Sequence, residues 1–237
     1  GSGLARVLRP TRRAVHRAGG LPVHKVIEAA RLLKLEDTPP APYLFTSPEI
    51  DARAEALTAG AGPILAIAPA ANWIGKTWPA ERFALVARSL LGADGPLVGG
   101  RLMVLGGPDD RGAAAPVMAA VPRSRCIDLV GRENLLVCFA ALKRARLFIG
   151  ADSGLMHLAA AAGAPTLALF GPSDETLYAP WGPLARTVRG ARSFADFQRI
   201  DPTLSQAMCH MMELSTTAVL AAARALIVES QTEGVHA

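Results

Sequence analysis

The segment Asp152-Ser-Gly-Leu-Met-His157 sets a carboxylate, a hydroxyl, a glycine and an imidazole within one short stretch. An apolar run ends at Gly150 and a helical pattern begins near Gly154. Ser153 and Gly154 therefore offer free backbone N–H groups where an anion can dock, with the helix dipole behind them. His157 falls one turn in and can reach the same anion. The competing reading is local: Asp152 or Ser153 caps the helix, and His157 is a satisfied core histidine.

Lys76 is the second candidate. It sits between Trp73 and Trp78, where an ammonium is expensive to desolvate unless it meets an anion; the ordinary alternative is a solvated lysine. Asp109 and Asp110 follow the glycine turn Gly106-Gly107, where a carboxylate either accepts from ribose hydroxyls or caps the next helix. Further loops of the same kind are Gly131-Arg-Glu133 and Gly171-Pro-Ser-Asp174. Their glycines let a backbone approach a ligand closely. Neither a GxGxxG fingerprint nor a GxxxxGK[ST] loop is present, which counts against dinucleotide binding and P-loop hydrolysis.

These loops need a scaffold, and the sequence supplies one. Short apolar runs at Ile64–Ala68, Arg101–Leu105, Cys126–Val130, Leu147–Gly150 and Pro165–Phe170 read as strands. Between them lie helical stretches: Ala80–Leu91, with Phe83, Val86, Ala87 and Leu90 on one stripe; a helix through Ala120; one capped by Asn134; and Gly154–Ala162. A closing helix is expected from Ser215 to Glu229. Strand–helix alternation predicts an α/β fold, a doubly wound, Rossmann-like parallel sheet with ligands at the strands' carboxyl ends. The segment from Val188 to Met212 carries few signals, and Cys209-His-Met-Met212 reads as core or surface rather than a metal site.

Residues 1–60 differ. They hold a basic helical stretch, a helix over Val23–Leu35, a proline-rich connector through Pro39, Pro40, Pro42 and Pro48, and a helix over Glu49–Ala59. They read as the tail of an upstream domain plus a linker, with the Rossmann-like domain spanning 61–237.

Composition narrows the class. A hydrophobic fraction of 51% excludes global disorder. No apolar run approaches the roughly 20 residues that span a bilayer, and the start shows no secretory pattern, so a cytoplasmic protein is expected. Cys126, Cys138 and Cys209 form no CxxC pair, which disfavours a zinc knuckle or a disulfide framework. The net charge of +5 is concentrated in Arg6, Arg9, Arg12, Arg13, Arg17, Lys25, Arg31 and Lys34. Those residues are a solvated face or a contact with an anionic lipid surface, peripheral to the inner membrane. Nucleic acid is disfavoured because no aromatics interleave with the charges.

Four ordered motifs carry a family resemblance: Ala68-Pro-Ala-Ala-Asn-Trp-Ile-Gly-Lys-Thr-Trp-Pro79, Leu105-Gly-Gly-Pro-Asp109, Gly150 through Pro165, and Leu169-Phe-Gly-Pro-Ser173. From about Leu21 onward the sequence resembles glycosyltransferase family nine, the ADP-heptose:lipopolysaccharide heptosyltransferases. The resemblance implies a GT-B fold, of which this chain holds the C-terminal donor domain and a remnant of the N-terminal one. It implies inverting, metal-independent transfer of a heptose from ADP-heptose to a lipid-linked saccharide acceptor, with no cofactor beyond the donor. Carried over by motif, Asn72 and Lys76 hold the donor's phosphates. Asp152, Ser153 and Gly154 bind diphosphate and sugar, with Met156 and His157 beside them. Asp109 or Asp110 holds the ribose, and the turn from Val130 to Glu133 borders the base. Lys76, Asp152 and His157 are the residues expected to serve the chemistry.

In that family a catalytic aspartate stands in a Gly-rich loop near the start of the N-terminal domain, and Gly1-Ser-Gly-Leu resembles a point well inside that domain. The alternative reading is therefore a nucleotide-binding module lacking its base. A sugar-nucleotide epimerase would need a further acid/base pair facing the sugar, and a membrane or nucleic-acid adaptor would rest on the basic stretch alone.

Overall fold

The computed structural model describes residues 22–204 and 207–233. The basic stretch through Arg17 lies outside them. Six strands form one parallel sheet: β1 (Ile64–Ala68), β2 (Arg101–Val104), β3 (Cys126–Asp128), β4 (Leu147–Ala151), β5 (Thr166–Phe170) and β6 (Ala185–Arg189). Their order is β3-β2-β1-β4-β5-β6, that of a doubly wound Rossmann-type sheet. The direction of winding reverses between β1 and β4, where Ala68 is in register with Gly150.

Every residue of β1, β4 and β5 is buried, because helices cover both faces and period-2 alternation feeds two separate cores. Leu65, Ile67, Leu147, Ile149, Leu167 and Leu169 point into the first. There they meet α3 (Ala80–Leu91), α4 (Arg111–Met118) and the closing α9 (Thr216–Glu233). Phe83, Val86, Ala87 and Leu90 of α3 are all buried, as the apolar stripe requires. Ala66, Ala68, Phe148, Ala168 and Phe170 point into the second core, against α5 (Leu135–Leu142) and α6 (Gly154–Ala161). Right-handed crossovers put helices on opposite faces once the winding direction reverses. The side chain of Asn134 caps α5 by accepting from Leu136 and Val137 N–H.

Two short helices precede the sheet. In α1 (Lys25–Arg31) the capping group is His24, whose ring accepts from Val26 N–H. α2 (Pro48–Thr58) is capped by Ser47 and buries Ala54 in the second core, with Ile50 and Leu57 packed beside it. Its C-terminal carbonyls, Thr58 O, Ala59 O and Gly60 O, accept from the Arg101 guanidinium at 2.6 to 2.9 Å.

Beyond β5 the sequence pattern is thinner than the structure. β6 and two further helices, α7 (Glu175–Tyr178) and α8 (Phe194–Ile200), fall where expectation stopped. Among the described residues no helix is long and apolar enough to cross a membrane.

Candidate functional site

The loops leaving β1 and β4 diverge at the switch point and leave a cleft of about 680 Å³ between them. Asn72, Trp73 and Lys76 line it from the first loop; Asp152, Ser153, Gly154 and His157 line it from the second. The loop after β5 adds Ser173 and Asp174. Open parallel sheets bind ligands at this place because adjacent loops turn away from one another there.

Lys76 is not a free lysine. Its Nζ donates to Asp152 Oδ2 at 2.9 Å, and the pair is only partly exposed, 23% for the lysine and 10% for the aspartate side chain. Ser173 Oγ donates to the same oxygen at 2.7 Å. On the other side of the carboxylate, His157 Nε2 lies 3.9 Å from Asp152 Oδ1. An ammonium has three donors, so Lys76 keeps capacity for an incoming anion after bonding Asp152.

The capping alternative for the second loop does not hold. Ser153 occupies the N-cap position of α6, yet no side chain accepts from the helix's first N–H groups. Met156 and His157 N–H turn back to Ser153 O at 3.1 and 3.3 Å, while those of Gly154 and Leu155 have no intrahelical acceptor. Among the described residues Ser153 Oγ is buried without a partner, a rare condition that asks for an explanation. His157 is no core histidine either, since its side chain is 45% exposed. Burial of the ring holds the imidazole below its ordinary value of 6.5; Asp152 opposes that shift, and His24 and Lys76 add to it. The empty N–H groups, the helix dipole, Lys76 and His157 together make a pocket for a polyanion.

A second hollow of about 450 Å³ lies over the ends of β2 and β3, lined by Gly107, Pro108, Gly131, Glu133 and Leu155. Gly131 has φ of +63°, and a Cβ there would stand 2.7 Å from Pro108 Cα, so the two strand-end turns touch only because this residue is glycine. Leu155 follows Gly154 directly, so the start of α6 lines both spaces.

The remaining expected residues are placed as follows. Glu133 does border the second hollow, but its carboxylate is engaged by Arg53 of α2. Asp110 turns inward on its own loop and accepts from Gly107 N–H at 2.7 Å, so it acts as a turn-stabilising group. Asp109 is exposed and lies outside the lining of either space. Met156 needs correction: it is fully buried in the second core, because helical geometry turns it inward from its neighbours in the motif. Its side chain is not available to a ligand.

Four residues of the cleft were given no site role by the sequence, although Trp73 and Ser173 lie inside its motifs. Trp73 lies over Gly75, where a Cβ would be 2.5 Å from the indole ring, and forms one wall of the cleft. Phe194 and Leu204 complete that wall from the weakly patterned stretch after β6. Ser173 sits in a loop already marked by its glycine, but its partner, 21 residues away, could not be read from spacing.

The sequence matches the glycosyltransferase family 9 (heptosyltransferase) model over residues 7–205, beginning earlier than the Leu21 from which the motifs were legible. Lipooligosaccharide heptosyltransferase 2 of Haemophilus influenzae is 30% identical over 167 residues, 66% of this chain and 47% of that protein. Lipopolysaccharide heptosyltransferase 2 of Salmonella typhimurium is 29% identical over 131 residues, 54% of this chain and 36% of that protein. The chain thus spans about half or less of these curated relatives. Among solved structures, a family 9 glycosyl transferase from Veillonella parvula superposes with a TM-score of 0.74 at 23% identity, covering 94% of this chain and 65% of that one. The E. coli ADP-heptose lps heptosyltransferase II superposes at 0.67 and 21% identity, covering 89% of this chain and 63% of that one. The fold is thereby the expected α/β one of GT-B type, and the family match covers well over half of the sequence: the chain belongs to glycosyltransferase family 9, the heptosyltransferases.

Proposed function

We propose that this chain provides the donor half of an inverting, metal-independent heptosyltransferase that uses ADP-heptose and a lipopolysaccharide core acceptor. The observation that carries the reading is the convergence of Lys76, His157 and the uncapped start of α6 at Ser153 and Gly154 on the switch-point cleft. The nucleoside lies over the second hollow, and the diphosphate reaches across the start of α6 to the first. The heptose occupies the cleft near Asp152 and Ser153, whose orphaned hydroxyl bonds a sugar or phosphate oxygen.

In the reaction, an acceptor hydroxyl attacks the anomeric carbon from the side opposite the diphosphate. The C–O bond to the diphosphate breaks, and its electron pair stays on the departing phosphate oxygen. The hydroxyl proton passes to a base, which the family resemblance assigns to an aspartate of the N-terminal domain. Charge builds on the leaving group, and fixed donors already aimed at it need no reorganisation; removing one such donor typically costs roughly 10²–10³ in rate. Lys76 supplies a cation, α6 supplies two N–H groups and its dipole, and His157 supplies a second cation once protonated. These groups take the place a divalent cation holds in other diphosphate transfers. Both carboxylates lining the cleft are engaged: Asp152 by Lys76 and Ser173, Asp174 by Thr176.

Calorimetric titration with ADP, UDP and GDP in metal-free buffer, with and without EDTA, tests this. ADP is expected to bind alone among the three, unaffected by EDTA, and at least about tenfold more weakly to Lys76→Ala. Absence of binding to folded protein, or dependence on a divalent cation, would overturn the reading.

A further inference from the structure

We infer that Ser173 is a positioning residue for the diphosphate site, acting through Asp152 on Lys76; the inference rests on the donor-site reading above. Ser173 is 7% exposed, and its hydroxyl donates to Asp152 Oδ2, the oxygen that also accepts from Lys76. Two donors on one oxygen fix the rotation of the carboxylate, leaving Oδ1 turned toward His157. They also divide its demand. With Ser173 bonded, Asp152 does not depend on the ammonium alone, and Lys76 is free to direct its other donors at a ligand.

The hydroxyl has no competing local duty. α7 begins two residues later, but its cap is Asp174, which accepts from Thr176 N–H at 2.9 Å. The main chain of Ser173 is itself held. Arg189, at the end of β6, donates to Ser173 O at 2.9 Å and to Gly171 O at 3.3 Å, and its guanidinium is paired with Glu175. The loop after β5 is thus pinned from the edge strand, and its Ser173 side chain completes an ion pair built by the loops after β1 and β4. Ser173 belongs to the Leu169-Phe-Gly-Pro-Ser173 motif, and this contact gives its last residue a task.

A side chain that only packs would affect nucleotide binding independently of Lys76. One that positions Lys76 would not. The test is a double-mutant cycle read by ADP titration of the full chain: wild type, Ser173→Ala, Lys76→Ala and the double variant, with thermal melts alongside. Loss of one charge-assisted hydrogen bond is expected to weaken ADP roughly three- to tenfold in Ser173→Ala, while the double variant binds as Lys76→Ala does. If Ser173→Ala proves poorly folded, Ser173→Cys, of similar size and a weak donor, takes its place in the cycle. Wild-type affinity in the Ser173 variant, or losses that multiply in the double variant, overturns the inference and leaves the donor site standing. Failure of the wild-type chain to bind ADP overturns both.

Discussion

Lys76 Nζ stands 2.9 Å from Asp152 Oδ2 across the place where the winding of the sheet reverses. The two residues come from loops after β1 and β4, 76 positions apart, and neither loop alone would bury its charge. Before any ligand arrives, Asp152 stands where the ammonium would otherwise face a low-dielectric wall made by Trp73.

The same pair has a cost when broken. Asp152 is the more buried partner, so Lys76→Ala leaves a carboxylate held by the Ser173 hydroxyl. Losing a charge-assisted bond to a buried group costs about 1–3 kcal/mol. Urea unfolding is expected to show a lower midpoint with unchanged slope; a midpoint equal to wild type would mean the pair contributes nothing to the free protein.

His157 gives the site a pH response. Its folded value lies below the ordinary 6.5, because burial of the ring outweighs the attraction of Asp152. Between the two values the unfolded chain binds more protons, so this residue's contribution favours folding above the ordinary value and is lost as pH falls toward the folded one. A bound diphosphate reverses the balance by adding negative charge beside the ring, which raises its affinity for a proton. ADP binding near pH 6.5–7 is then expected to take up protons, measured as a dependence of binding heat on buffer ionisation enthalpy. ADP's terminal phosphate titrates in the same range, so the comparison with His157→Gln carries the result. Equal proton uptake by both proteins would remove His157 from the site.

Gly75 is a steric prediction of a different kind. An added methyl would meet the Trp73 ring at 2.5 Å, so the indole must swing aside to admit it. Gly75→Ala should displace Trp73 from the cleft wall, change intrinsic fluorescence and weaken ADP several-fold, at a stability cost of about 1–3 kcal/mol for overpacking. Unaltered fluorescence and affinity would show that the wall is not used.

What the sequence disclosed follows from burial. β1, β4 and β5 are covered on both faces, so each reads as an unbroken apolar run. β6 is an edge strand of sequence Ala-Arg-Thr-Val-Arg with two exposed residues, and it carries no such run. Its Arg189, which pins the loop bearing Ser173, was accordingly invisible. The Asp152–His157 stretch stood out because a carboxylate, a hydroxyl, a glycine and an imidazole follow directly on a buried strand end. Met156 was misplaced for the opposite reason: a motif is contiguous in sequence, whereas a helix turns every residue by about 100°. Asp109 and Asp110 show a third limit. Both the ribose and the capping readings were open, and the Asp110 side chain is occupied by Gly107 N–H.

The sequence assigns residues 1–60 to an upstream tail and linker, yet α2 of that stretch buries Ala54 against the second core, while Arg101 of β2 binds its last carbonyls. Arg53 of the same helix holds Glu133 at the second hollow. A chain starting at residue 61 would expose α5, strip Arg101 of three acceptors and free Glu133. A chain starting at residue 46 keeps all of these contacts. The shorter chain is expected to melt at a lower temperature than the longer one, and to bind hydrophobic dyes. Arg101→Met in the full chain should cost about 1–2 kcal/mol, through lost hydrogen bonds to the helix end. Equal melting temperatures for the two truncations would show that α2 rests on the sheet without supporting it.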